Sequence, residues 1–174
     1  AEGPVITVDG RALVSFGGCN YLGLSWHRDV RSAMARALAD FGVSTSASRE
    51  TTGNTVEHDR LESVLREFLG VEDAVLVPDG YTANLAAAQV LAPTHRFALI
   101  DARSHRSIRE SIAAAGLVLH EYRHRDAVRA AEQVRSLQLQ GKVSLWTDGV
   151  FAADGAVAPI PALLEACRRA GGTL

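Results

Sequence analysis

Three short segments of the sequence carry side chains able to do chemistry, and each follows an apolar run. Pro78-Asp79-Gly80-Tyr81-Thr82-Ala83-Asn84 places a glycine where a helix would begin. Main-chain N–H groups can approach an anion closely there, and the helix dipole favours a phosphate. An ordinary turn from strand to helix reads the same way, and neither G-x-G-x-x-G nor a Walker A pattern is present. Asp101-Ala102-Arg103-Ser104-His105 sets a histidine just past Phe97–Ile100. Such an imidazole could lie on a planar ring, handle a proton, or simply cap the next helix. Thr147-Asp148-Gly149-Val150-Phe151, with Asp154-Gly155 beyond, offers a carboxylate at a strand end. It could hold Mg²⁺ or a substrate cation, or fix the loop backbone. The remaining histidines lack ligand-like spacing, so no metal site is expected. No Ser–His–Asp elbow and no carboxylate pair stands out.

The elements that must position these segments follow from periodicity. Val5–Val8 and Ala12–Val14 flank Asp9-Gly10, a hairpin signal. Val30, Met34, Ala37, Leu38 and Phe41 fall at helical spacing over 29–41, as do Leu61, Val64, Leu65 and Phe68, with Gly70 placed to end the second helix. Residues 42–54 between them read as a long loop. From there the pattern alternates: strands over Ala74–Val77, Phe97–Asp101, Leu117–Tyr122 and Val143–Asp148; helices over Ala83–Leu91, Ile108–Ala115, Ala127–Leu139 and Pro161–Ala170. Thr173-Leu174 looks like a strand just begun. This predicts an α/β fold built of βαβ units around a mainly parallel sheet, whose ligands bind at the carboxyl ends of the strands.

Composition narrows the class. With 174 residues, 47% of them hydrophobic and 22% charged, the chain suits one good-sized globular unit rather than a disordered or fibrous protein. A net charge of −2 gives no basic surplus for nucleic acid. Cys19 and Cys167 are too few and too far apart for a disulfide framework. No apolar run has the roughly 20 residues of a membrane helix, and the N-terminus lacks a signal pattern, so a cytoplasmic protein is expected. Of 18 basic residues only Lys142 is lysine, the sole methionine is Met34, and residue 1 is alanine. Together with the interrupted last strand, this leads us to expect a segment of a larger protein.

In combination the motifs resemble the N-terminal half of the α-oxoamine synthases, pyridoxal-phosphate (PLP) enzymes. Asn20-Tyr21-Leu22-Gly23-Leu24 is similar to the family's opening signature after its hairpin. Gly42 to Arg49 and Gly53, with His58 and Leu61-Glu62, resembles its glycine-rich loop and following helix. Gly80-Tyr81-Thr82-Ala83-Asn84 resembles the cofactor-phosphate turn, and Ser104-His105 falls where the family keeps the histidine that stacks on the pyridine ring. Asp148-Gly149-Val150-Phe151, then Asp154-Gly155 and Pro159, resembles the segment before the cofactor's aspartate.

The resemblance implies the large domain of the aspartate-aminotransferase type (PLP fold type I), with helices on both sheet faces. Residues 1–28 would form a hairpin and arm, and 29–174 the first part of the PLP-binding domain. It implies that Gly80, Tyr81, His105 and Asp148 bind the cofactor, and that Asn20 and Arg49 border the substrate channel. The implied partners are an amino acid, an acyl thioester and a second identical subunit sharing the site. The implied reaction is a decarboxylating condensation to an α-amino ketone. The alternatives are an aminotransferase or lyase of the same fold, or a non-catalytic family subunit. No catalytic residue is expected within the chain: the Schiff-base lysine would follow Leu174, and Lys142, at the start of its strand, cannot replace it. Three positions depart from the family pattern: Asp79 for serine, Ala152 for serine and Ser44 for glycine. Asp79 is expected to turn away from a phosphate, because two anions repel.

Overall fold

The computed structural model describes residues 5–174, in two compact units, one ending at Val75 and the other Leu76–Leu174. The first unit opens with antiparallel strands β1 (Val5–Val8) and β2 (Arg11–Val14), in register Val8↔Arg11. Asp9 and Gly10 both have positive φ, 49° and 76°, as the tight hairpin turn requires. Helix α1 (Arg28–Phe41) is capped by His27 Nδ1, which accepts the Asp29 N–H. Helix α2 (Val56–Leu69) starts at a reciprocal Thr55–His58 pair: the Thr55 N–H donates to His58 Nδ1 at 3.1 Å. It ends where the Gly70 N–H returns to the Arg66 and Glu67 carbonyls. The apolar stripes of both helices are open to solvent in this chain, Met34 72% and Phe68 81% exposed.

The second unit holds the core. Helix α3 (Gly80–Leu91) precedes β3 (Phe97–Asp101), α4 (Arg106–Ala114), β4 (Val118–Tyr122), α5 (Ala127–Gln138), β5 (Val143–Trp146) and α6 (Ile160–Ala170). The strands are parallel in the order β4-β3-β5. Every residue of central β3 is buried, so alternation along it feeds two apolar layers. Phe97 and Leu99 pack with Val143, Leu145 and Tyr122 against Ala130 and Val134 of α5 and Leu163 and Cys167 of α6. Ala98 and Ile100 pack against Ile108 and Ile112 of α4, with Ala92 beyond α3 alongside. Helices therefore cover both faces, and each fully buried Leu, Ile or Val contributes roughly 1.5–3 kcal/mol.

Two sequence expectations meet the sheet differently. Thr173, expected to begin a strand, makes an isolated parallel bridge beside β5: its N–H donates to the Val143 carbonyl at 3.1 Å and its own carbonyl accepts the Leu145 N–H at 2.7 Å. Residues 74–77, expected as a strand, form no ladder and are not one. An extended apolar run becomes a strand only when it joins a ladder with a neighbouring strand. No helix among the described residues is long and apolar enough to cross a membrane, and none of their His, Cys, Asp and Glu side chains gathers into a metal-holding group.

Candidate functional site

Parallel strands deliver their carboxyl ends to one edge, and two of the three sequence-selected segments lie there; the third starts α3 beside them. Helix α3 begins at Gly80, three residues before its apolar pattern, because Asp79 caps it. Asp79 Oδ1 accepts the Thr82 N–H at 2.7 Å. The carboxylate has not turned away from the turn; it occupies the helix N-terminus. Those hydrogen bonds, led by the Thr82 main chain, hold its pKa below the usual carboxylate range. The cap's contribution is therefore complete above about pH 4 and is lost as pH falls through the lowered value. At Gly80 a Cβ would meet nothing within 4 Å, so the space over the turn is open. Tyr81 reaches across to α4, its hydroxyl donating to Glu110 Oε2 at 2.9 Å. That bond raises the tyrosine's pKa, while pairing with Arg106, then the Tyr81 bond, lowers that of Glu110.

Histidine 105 is the N-cap of α4, and this explains why the helix starts at Arg106 rather than at its first apolar residue. Its Nδ1 accepts the Ser107 N–H at 3.2 Å and lies 2.7 Å from Ser107 Oγ. Ser107 is buried and also receives Asn84 Nδ2 from the second turn of α3, at 2.9 Å. On the other side the His105 N–H donates to Asp148 Oδ2 at 2.7 Å. Asp148 thus fixes the backbone that carries His105, tying the end of β3 to the end of β5. His105 as a residue is exposed. Gly80, Tyr81, His105 and Asp148 are in this way gathered into one corner.

Beneath that corner sits a carboxylate that pattern reading passed over. Asp101, the last residue of β3, is 1% exposed. It accepts the main-chain N–H groups of Arg103 and Arg125, both at 2.8 Å, and lies 2.9 Å from His124 Nδ1. His124 meets the buried Phe151 ring edge-on at 4.5 Å between centroids. Arg103 pairs with Asp154 at 3.0 Å across the next loop. The Tyr122 hydroxyl approaches Thr147 without hydrogen-bond geometry, and burial pushes its pKa up to about 12. Lys142 precedes β5 at the opposite edge, where its carbonyl accepts the N–H groups of Arg96 and Phe97. Ala152 has no hydroxyl to offer a polar partner.

Asn20 and Arg49 belong to the first unit. The Asn20 amide is engaged within its own turn, donating to Ser25 Oγ at 2.6 Å and accepting the Ser25 N–H. It borders a cleft of about 540 Å³ with Ile6, Val14, Phe16 and Tyr21. Arg49 donates to Asn54 Oδ1 at 2.9 Å and pairs with Glu62 of α2 at 2.8 Å, which pins the 42–54 loop to that helix. Ser44 supports the same loop: its Oγ accepts the N–H of Ser46, whose φ is 53°.

Comparison with known proteins gives this arrangement a setting. Residues 11–174 match the aminotransferase class I and II family. The 8-amino-7-oxononanoate synthase of Stutzerimonas stutzeri (strain A1501) is 37% identical over 170 residues, 98% of this chain and 43% of that protein. That of Mycobacterium tuberculosis (strain ATCC 25177 / H37Ra) is 40% identical over 157 residues, 89% of this chain and 40% of its own length. A serine palmitoyltransferase from S. paucimobilis, solved with a bound PLP–myriocin aldimine, superposes with a TM-score of 0.92 at 26% identity, over 99% of this chain and 44% of that one. The Sphingomonas wittichii serine palmitoyltransferase gives 0.91 at 28% identity, over 97% and 42%. The chain spans less than half the length of these relatives, and over that span its fold is aspartate-aminotransferase-like. Because the match runs from β2 to Leu174, the chain belongs to the aminotransferase class I and II family.

Proposed function

We propose that this chain forms the phosphate- and ring-binding side of a PLP site, in an enzyme that condenses an amino acid with an acyl thioester and releases carbon dioxide. The observation that carries the proposal is the hydrogen-bonded run Asn84–Ser107–His105–Asp148, which joins the start of α3 to the ends of β3 and β5. The residues present fit the cofactor's needs in part. The open turn at Gly80 and Tyr81 offers main-chain N–H groups to a phosphate, and the exposed His105 offers a ring face to a pyridine. Asp148 acts through the His105 backbone. When bound, PLP supplies an electron sink for charge developing at the substrate Cα.

In the overall reaction a bond forms between the amino-acid Cα and the acyl carbon, and the acyl C–S bond breaks to release a thiol. The Cα–carboxylate bond breaks to release carbon dioxide, the electron pair left on Cα takes up a proton from solvent, and the proton first lost from Cα goes to the thiolate. The family resemblance implies that the lysine such chemistry requires follows Leu174; Lys142 lies at the far sheet edge. In this reading residues 1–28 are the arm and 29–174 the first part of the cofactor domain. Asn20 and Arg49 border the amino-acid site of a cytoplasmic homodimer whose subunits share it.

The test is to saturate the full-length protein with PLP, record its visible absorbance, and assay thiol release from acyl-CoA and from an acyl carrier protein with glycine, alanine or serine. A cofactor band with amino-acid-dependent thiol release is expected. Turnover without a thioester would replace the reading with an aminotransferase, and absence of any cofactor band would remove it. One substitution probes the phosphate turn directly. Asp79→Ser keeps a capping oxygen while removing a charge beside the phosphate, and is expected to tighten PLP binding roughly tenfold by titration.

A further inference from the structure

The structure assigns Asn84 and Ser107 as positioning residues that hold His105 in a single tautomer, with the proton on Nε2 and a bare Nδ1. A main-chain N–H can only donate, and that of Ser107 points at Nδ1 from 3.2 Å. A proton on Nδ1 would oppose it. The Ser107 hydroxyl, 2.7 Å from the same nitrogen, decides the matter from the other side. Its oxygen accepts Asn84 Nδ2 at 2.9 Å, and with Nδ1 kept bare by the main-chain donor the hydroxyl proton is the one available to point toward it. Both donors therefore converge on one nitrogen: the main-chain N–H fixes it as an acceptor, and the amide at the far end biases the hydroxyl the same way. Ser107 is buried, so water does not compete for these bonds.

Position follows from the same contacts. With Nδ1 anchored in the first turn of α4 and the main chain anchored by Asp148, the imidazole plane is restrained at both ends. What it presents outward is a ring face and an Nε2–H donor. That these meet the cofactor rests on the functional reading above; the tautomer does not.

The two can be tested apart. The full chain, labelled with 15N on histidine and free of PLP, is examined by long-range 1H–15N correlation, with His105 assigned by its loss in His105→Gln. One protonated nitrogen, Nε2, and one bare nitrogen, Nδ1, are expected in a ratio too one-sided to show averaging. Asn84→Asp is the decisive variant, because it keeps the shape and reverses the bond. The introduced carboxylate accepts the Ser107 hydroxyl proton, so the hydroxyl turns its lone pairs to Nδ1. The tautomer ratio should then move about fivefold to tenfold toward Nδ1–H, the worth of one hydrogen bond. Ser107→Ala, which keeps the main-chain donor, should move it less, and Ser107→Thr should restore the original spectrum. A mixed or Nδ1-protonated wild-type ring would overturn the assignment. So would an unchanged ratio in Asn84→Asp with an intact circular-dichroism spectrum. The cofactor half is read separately in the full-length protein. There, Asn84→Asp should weaken PLP binding severalfold and shift its absorbance band. A tautomer shift without either change would overturn the positioning role, while failure of the wild type to bind PLP would overturn the functional reading and leave the tautomer standing.

Discussion

Asp101→Ala is expected to destabilise the chain by roughly 3–5 kcal/mol. The carboxyl is 1% exposed and takes three polar partners, two of them main-chain N–H groups held at 2.8 Å. Truncation leaves these donors and the His124 imidazole without the acceptor they share. Each buried donor so stranded costs about 1–3 kcal/mol. Asp101→Asn should cost less, because one acceptor survives, but its amide protons would face N–H donors on the other side. The effect should reach the candidate site as well. The Arg103 N–H bond starts the turn that delivers His105, so PLP affinity should fall along with stability. Urea unfolding followed by circular dichroism measures the first and cofactor titration of folded protein the second. A cost below about 1 kcal/mol would show that water reaches these donors after all.

That carboxylate also shows where pattern reading stops. The order of elements was legible because each carries a local signal: Asp9-Gly10 for the hairpin, apolar runs for β3, β4 and β5, helical spacing for α1, α2, α4, α5 and α6. Helix starts were read late where a polar residue sets them. Asp79 and His105 begin α3 and α4 two or three residues before the apolar periodicity shows itself. The 74–77 run failed for a different reason, since β-propensity describes a residue's fit to a sheet and says nothing of an available neighbour. For α1 and α2 the apolar faces were correctly marked, but spacing does not say what covers them.

The site divides along the same line. Gly80, Tyr81, His105 and Asp148 could be picked out because strand ends are where such sheets bind ligands. Asp148 kept two meanings, ligand or backbone anchor, and only its contact with the His105 N–H shows the second in use. Asn84 and Ser107 lie 23 residues apart, as do Asp101 and His124. Both pairs exist only once helices and strands have packed. A hint was present in each case: the Asn84 amide among the small residues of α3, and a carboxylate closing an otherwise apolar strand. Neither identifies its partner.

Gly53→Ala is expected to dislodge the 42–54 loop, at a cost of about 1–3 kcal/mol or more. The reason is space rather than backbone torsion. A Cβ at this position would lie 2.1 Å from the Ala47 carbonyl oxygen, 2.6 Å from its carbon and 2.8 Å from the Ser48 carbonyl oxygen. All three are main-chain atoms, so no rotamer change can clear them. The chain must open where the Gly53 N–H now closes on the Ser48 carbonyl at 2.9 Å. Arg49 lies inside that closure, and its bonds to Asn54 and Glu62 hold the guanidinium in place. Opening the loop therefore moves Arg49 even though the substitution adds only a methyl group to a different residue. If Arg49 borders the amino-acid site as proposed, KM for the amino acid should rise at least tenfold while PLP affinity, set in the other unit, stays near the wild-type value. Faster proteolysis between residues 44 and 54 would report the loop directly. Glu62→Gln serves as the companion variant: it weakens the ion pair without crowding the turn, and should reproduce the KM change in smaller measure with little proteolytic sensitivity. Unchanged proteolysis and KM in Gly53→Ala would show that the loop has room the close approach of Ala47 denies.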